Sequence, residues 1–177
     1  MANAEKKGIK ACLLGGVFVG KTAIIQRFIS GALGPTYPTI GGAFSSVKVY
    51  YRDRGYKIEV WDTSGHEKYR KIVTTFFRNA AVALLVYDIT DKESFEVVKY
   101  WMNELKEKAP KDIRIFVIGN KSDLESQRTV GRSSAEQYAQ ENDAVHLEAS
   151  AKTGEGISEI FQEICASLSG EEKETQL

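Results

Sequence analysis

The sequence predicts an α/β fold: a six-stranded, mostly parallel sheet with helices on both faces and one antiparallel edge strand. Three observations carry that expectation. Strand-like apolar runs alternate with helical patterns along 177 residues, without a repeat or a Pro/Gly/Ser-rich linker. Residues 82–87 and 113–118 are continuous apolar runs, as in parallel strands covered on both faces. Residues 44–52 and 56–61 flank Asp53-Arg54-Gly55, which reads as a hairpin turn and makes one edge antiparallel.

Taken in order, residues 8–14 form a short buried strand, and residues 22–29 open a helix with Ile24, Ile25 and Phe28 on one side. The hairpin follows, then the strand at 82–87. Thr90-Asp91-Lys92-Glu93 has the spacing of a capping box, ahead of a helix with Phe95, Val98, Trp101, Met102 and Leu105 facing inward. After the strand at 113–118, residues 144–147 make a last short strand. Ile157, Ile160, Phe161, Ile164, Cys165 and Leu168 then give the inner stripe of a final helix. The chain reads as a single domain, with a folded core over about residues 8–169 and a polar tail over 170–177.

Lys plus Arg and Asp plus Glu both number 24, so the formal net charge is zero and no global field favours nucleic acid or an anionic membrane. The longest apolar stretch, residues 80–87, is far short of a bilayer span, and the N-terminus lacks the apolar run of a signal peptide. Cys12 and Cys165 lie inside apolar patterns and read as reduced core thiols of a cytoplasmic protein. His146 reads as a solvated or hydrogen-bonded strand-end residue, since no Cys or carboxylate stands at ligand spacing near it.

Gly15-Gly16-Val17-Phe18-Val19-Gly20-Lys21-Thr22 fits the pattern GxxxxGK[ST] between a buried strand and an amphipathic helix. Glycines let the backbone wrap an anion with successive N–H groups, and the helix that begins near Ala23 adds its positive N-terminus. Lys21 would neutralise β- and γ-phosphate oxygens, and the Thr22 hydroxyl would bind Mg²⁺. Asn120-Lys121-Ser122-Asp123, directly after a strand, selects the base. A buried Asp123 carboxylate would pair with the adjacent N1–H and 2-amino group of guanine and be left unpaired against adenine, which opposes an ATP-driven enzyme. Asn120 can tie this loop to the phosphate loop, the Lys121 stem can lie over the base, and Ser150-Ala151-Lys152 offers backbone N–H groups to the guanine carbonyl.

These residues resemble the Ras-like small GTPases and, more narrowly, the Rab branch, over nearly the whole chain from about Lys10 to Leu168. The Rab-type stretches are Ile40-Gly41-Gly42-Ala43-Phe44, Trp61-Asp62-Thr63-Ser64-Gly65-His66-Glu67, Lys68-Tyr69-Arg70-Lys71-Ile72, Phe76-Phe77-Arg78-Asn79-Ala80 and Leu85-Val86-Tyr87-Asp88-Ile89-Thr90. The resemblance implies the P-loop GTPase fold and a GTP/GDP switch in vesicle traffic. It makes Thr39 a ligand of Mg²⁺, lets Asp62 hold the ion through water, and has the Gly65 N–H sense the γ-phosphate. Tyr37 joins the nucleotide-binding set on the same ground. Effector, exchange-factor and activating proteins would read the stretches from Thr39 to Phe44 and from Trp61 to Phe76 on a monomer. Phe44, Trp61 and Phe76 match the family's exposed aromatic triad, although Trp61 also suits ordinary core filling.

The sequence departs from the family at three places. His66 stands where a Gln normally orients the attacking water, and a rigid imidazole cannot reproduce the reach of the amide. GTPases of translation carry a His at the matching place, where a large partner positions it. Val17 and Phe18 are bulky where the family has small residues, and Val17 would crowd the water or an arginine finger. Both changes work against hydrolysis, so the expected enzyme is a weak GTPase with Lys21, Gly65 and His66 at its reacting end; the alternative is a GTP-loaded scaffold that scarcely hydrolyses. Leu33, eleven residues after Thr22, replaces a Phe that meets guanine edge-on, and either speeds nucleotide release or packs on the ribose without effect. The family normally continues into a prenylated cysteine tail, which places its members on the cytosolic face of an endomembrane. The last residues here, EEKETQL, hold no cysteine, so the sequence reads as a domain cut short of its anchor rather than as an unlipidated protein.

Overall fold

The computed structural model describes residues 8–32, 34–35 and 39–170. The expectations for Leu33 and Tyr37 lie outside the described residues. The strands are β1 (Ile9–Gly15), β2 (Gly42–Tyr51), β3 (Arg54–Thr63), β4 (Val82–Asp88), β5 (Arg114–Asn120) and β6 (Val145–Glu148). They form one sheet in the order β2-β3-β1-β4-β5-β6, in which only the β2–β3 pair is antiparallel. The expected architecture is therefore the observed one.

The helices are α1 (Lys21–Ser30), α2 (Arg70–Phe77), α3 (Lys92–Lys108), α4 (Arg132–Glu141) and α5 (Ile157–Ser169). Because neighbouring strand residues alternate between faces, β1 divides its side chains between two cores. Ala11 and Leu13 join α1 and α5 on one face, where Phe28 stacks on Phe161 with ring centroids 3.8 Å apart. Cys12 and Leu14 join α2, α3 and α4 on the other. Every residue of β4 is buried, as its unbroken apolar run requires.

Local details differ from the sequence expectations for identifiable reasons. The hairpin turn is Arg52-Asp53, with φ of 47° and 61°, and Arg54 and Gly55 already pair within β3. A two-residue turn with both φ positive matches the strand twist, which a longer turn over 53–55 would not. The N-cap of α3 is Asp91, which accepts from the Glu93 N–H, and not Thr90. Both the N–H and the hydroxyl of Thr90 donate to Asp88 Oδ1, at 2.8 and 2.7 Å, so Thr90 is committed elsewhere. Ala144 is excluded from β6 because its N–H closes the end of α4 on the Ala139 carbonyl at 2.9 Å.

The parallel strands run so that Gly15, Asp88, Asn120 and Glu148 end at the same edge, next to Thr63 at the end of β3. Sheets of this kind place ligand sites at that carboxyl edge.

Candidate functional site

Between Gly15 and Lys21 the chain wraps the end of β1 and enters α1 through Gly20, whose φ is 97°. A side chain there would also strike the Asn120 amide, so the position requires glycine twice over. Lys21 is buried and folds its ammonium back over the loop, donating to the Gly16 carbonyl at 2.7 Å and the Gly15 carbonyl at 3.1 Å. Burial lowers its pKa from 10.5 to about 8, against the opposing attraction of Asp62. An anion lying on the loop would raise it again.

The three residues assigned to a metal converge. Thr22 donates to Asp62 Oδ2 at 2.5 Å, Thr39 Oγ1 lies 3.0 Å from Thr22 Oγ1, and Thr39 donates to Asp62 Oδ2 at 3.4 Å. Asp62 Oδ1 is buried with no hydrogen-bond partner among the described residues. Burial raises the Asp62 pKa, while Thr22, Lys21 and Thr39 partly offset it. Two hydroxyls around one half-satisfied carboxylate are the all-oxygen donor set that suits Mg²⁺ completed by water and phosphate. Among the described residues there is no cluster of three His, Cys, Asp or Glu that would favour another metal.

Gly65 lies directly on the phosphate loop. A Cβ there would run into the Gly16 carbonyl and sit 2.5 Å from the Val17 nitrogen, so the chain after β3 can pass this close only as glycine. Next to it, His66 is exposed and accepts from the Lys68 N–H through Nδ1 at 3.3 Å, capping the short 3-10 turn Glu67–Tyr69. Accepting at Nδ1 puts the proton of the neutral ring on Nε2. The ring is a local cap, with Tyr69 edge-on at 6.1 Å. Val17, Phe18, Lys21, Thr22, Thr39, Gly65 and His66 all line one cleft of about 250 Å³. Phe18 sits at its mouth, 77% exposed and in a left-handed conformation at φ 63°.

The residues expected to read the base do not line that cleft; Asn120 ties them to the loop that does. Its side chain donates to the Val19 carbonyl at 2.9 Å and accepts from the Ala151 N–H at 3.2 Å, so one buried amide joins three loops. The Ala151 N–H is thereby used within the protein rather than offered outward. Ser150 is buried and donates to Asp123 Oδ1 at 2.7 Å. Asp123 is exposed, which corrects the expectation of a buried carboxylate, and Ser150 meets one of its oxygens. Lys121 adopts φ 65° and pairs with Asp88 at 2.6 Å, while Lys152 is exposed.

Sequence reasoning missed Asp88 and Arg27. Burial alone would raise the Asp88 pKa, but hydrogen bonds from Lys121 and Thr90 outweigh it and hold the carboxyl below its usual range. Asp88 pairs with Asn120 in the β4–β5 register, a signal visible once the strands are aligned. Arg27 reaches from α1 to the Thr153 carbonyl at 2.8 Å and the Lys152 carbonyl at 3.4 Å.

The aromatic triad is assembled across β2, β3 and α2. Trp61 meets Phe44 edge-on and stacks on Phe76, both at 5.2 Å. Trp61 and Phe76 are half-buried against the second core and Phe44 is 53% exposed, so Trp61 helps to fill the core while its ring also joins the triad. His146 is the hydrogen-bonded strand residue expected, with Nε2 2.9 Å from the Tyr87 hydroxyl.

A P-loop sheet with a threonine–aspartate cluster at one end and an Asn-Lys-Ser-Asp loop at the other is the arrangement of the Ras-like small GTPases. The Ras family model matches residues 10–169, and the chain belongs to that family. Ras-related protein Rab-22A of Mus musculus is 40% identical over 157 residues, covering 88% of this chain and 81% of that protein. The putative ras-related protein Rab-5B of Dictyostelium discoideum is 40% identical over 167 residues, covering 94% of this chain and 78% of that protein. With them, the chain falls in the Rab branch.

Proposed function

We propose that the chain is a Mg²⁺-dependent guanine-nucleotide switch of membrane traffic whose GTP hydrolysis is slower than is usual for its family. The observation that carries the nucleotide reading is the Asn120 amide, which holds the phosphate loop and both base-reading segments in one unit. Lys21 and the loop backbone bind the β- and γ-phosphates, and Asp123 reads the base. Thr22 and Thr39 would hold Mg²⁺, with Asp62 acting through water, and the ion when bound would neutralise charge on the phosphate oxygens. Thr39 to Phe44 and Trp61 to Phe76 form the surface that effector, exchange-factor and activating proteins read. The protein acts as a monomer, peripheral on the cytosolic face of an endomembrane. Among the described residues no helix is long and apolar enough to cross a membrane.

The slow-hydrolysis reading rests on the His66 ring, which caps its own 3-10 turn, and on Val17 in the wall of the cleft. In the first experiment, a fluorescent GDP analogue binds and is displaced by GTP but not by ATP. In the second, γ-phosphate release is followed over a single turnover, and His66→Gln releases phosphate faster than the wild type. An unchanged or slower rate in that variant refutes the assignment. The GTP-loaded scaffold is the second reading, favoured by the same two residues; GTP rather than GDP co-purifying with the protein would select it.

A further inference from the structure

The segment that carries Asp123, Ser122–Gln127, is a 3-10 run broken by non-helical angles at Leu124 (φ −96°, ψ 37°). Runs of this kind have poor internal hydrogen bonding and do not hold their own shape. Arg128 stands at its end. Its Nε donates to Glu125 Oε1 at 2.9 Å and one terminal nitrogen donates to Glu125 Oε2 at 2.6 Å. The same guanidinium donates to Glu148 Oε1 at 2.8 Å and Oε2 at 3.0 Å, and to the Val130 carbonyl at 3.2 Å. Glu148 is the last residue of β6, and Ala149 and Ser150 follow it directly.

We propose that Arg128 is a positioning residue for base recognition: its single guanidinium, shared by Glu125 and Glu148, clamps the Asp123 segment to the strand that delivers Ser150. The proposal rests on the guanine-nucleotide reading above. The two segments are already pinned near the base by Ser150 on Asp123 at 2.7 Å and by the Ser122 N–H on the Ala149 carbonyl at 3.1 Å. Arg128 adds the pin behind them, so the segment is held at both ends and Asp123 cannot pivot about Ser150. A planar fork with five N–H donors meets both carboxylates in pairs and a carbonyl besides, whereas an ammonium has only three donors and no planar fork. The side chains of Arg128 and Glu148 are 14% and 10% exposed, which screens that arm little, whereas Glu125 is 68% exposed and forms the weaker arm.

The test compares GDP with inosine diphosphate, which lacks the 2-amino group that Asp123 would read. Dissociation constants are measured by displacing a fluorescent GDP analogue from the wild type, Arg128→Gln, Arg128→Lys and Glu125→Gln. In Arg128→Gln the GDP affinity falls by about tenfold and the preference for GDP over inosine diphosphate shrinks by a similar factor. Arg128→Lys fails to rescue either quantity, and Glu125→Gln loses about threefold in both. A residue that merely stabilised the fold would lower the melting temperature and leave the preference intact. If Arg128→Gln does not fold, Glu125→Gln decides, because it removes an exposed partner and strands no buried carboxylate. An unchanged preference in the variants, with the wild type binding GDP, overturns the role of Arg128 alone. A wild type that does not bind GDP overturns the guanine-nucleotide reading itself.

Discussion

Thr22 Oγ1 donates to Asp62 Oδ2 at 2.5 Å, so the first turn of α1 is bonded to the end of β3 across the site. The bond occupies one carboxylate oxygen and leaves the other, buried, without a partner among the described residues. Asp62→Asn keeps the shape and removes the charge a hard cation needs. Nucleotide release from the wild type accelerates when EDTA removes Mg²⁺; in Asp62→Asn it is fast from the start and EDTA changes it less than about twofold. Stopped-flow release of a fluorescent GDP analogue measures both. A variant as sensitive to EDTA as the wild type would contradict the assignment.

Lys21 makes nucleotide-free stability depend on alkaline pH. Its folded pKa, about 8, lies below the ordinary 10.5, so between those values the unfolded chain binds more protons than the folded one. Stability contributed by this group therefore rises with pH through that window. Relative to Lys21→Met, which cannot titrate, the wild type gains about 3 kcal/mol between pH 8 and 10.5. Urea unfolding of both proteins along that pH series reads the difference, in which the other titrating groups cancel. A flat difference would mean the ammonium is not desolvated.

Phe18 is bulky, exposed and left-handed, and it buries too little to offset that backbone conformation. Phe18→Gly stabilises the protein by about 1 kcal/mol, net of the extra freedom glycine gives the unfolded chain. The denaturant midpoint rises while its slope is unchanged. A lower midpoint would show that the ring packs on something that repays the strain.

Gly20→Ala does the reverse. The new methyl group meets the Asn120 amide at a φ of 97°, and the Asn120–Val19 hydrogen bond is lost. Stability falls by about 2 kcal/mol and GDP release accelerates by at least about tenfold. Asn120→Ala, with glycine kept at 20, should reproduce the faster release and cost at least as much stability, because it leaves both the Val19 carbonyl and the Ala151 N–H without their partner.

The strands were legible because burial on both faces of β4 and β5 leaves an unbroken apolar run. So was α5, whose inner stripe is long and apolar. The helix α4 was not, because it packs through Ala135 and Ala139, whose small side chains leave no apolar period in a polar sequence. Short α2 escaped for a related reason, with only Val73 and Phe77 buried. In the site, the phosphate loop and Asn120 were legible because they are contiguous motifs. Asp88, Arg27 and Arg128 lie outside those motifs: the strand register sets Asp88 beside Asn120, Arg27 reaches the Lys152–Thr153 loop from α1, and Arg128 bonds Glu125 and Glu148 from the loop after the Asp123 segment.

The Asn120 amide also makes the nucleotide site a single lever. Val19 lies just before α1, Ala151 lies two residues after Ala149 beyond β6, and one side chain grips both. On the nucleotide reading proposed above, a disturbance at the phosphate end would reach the base end through this one side chain, and the two ends would open together rather than independently.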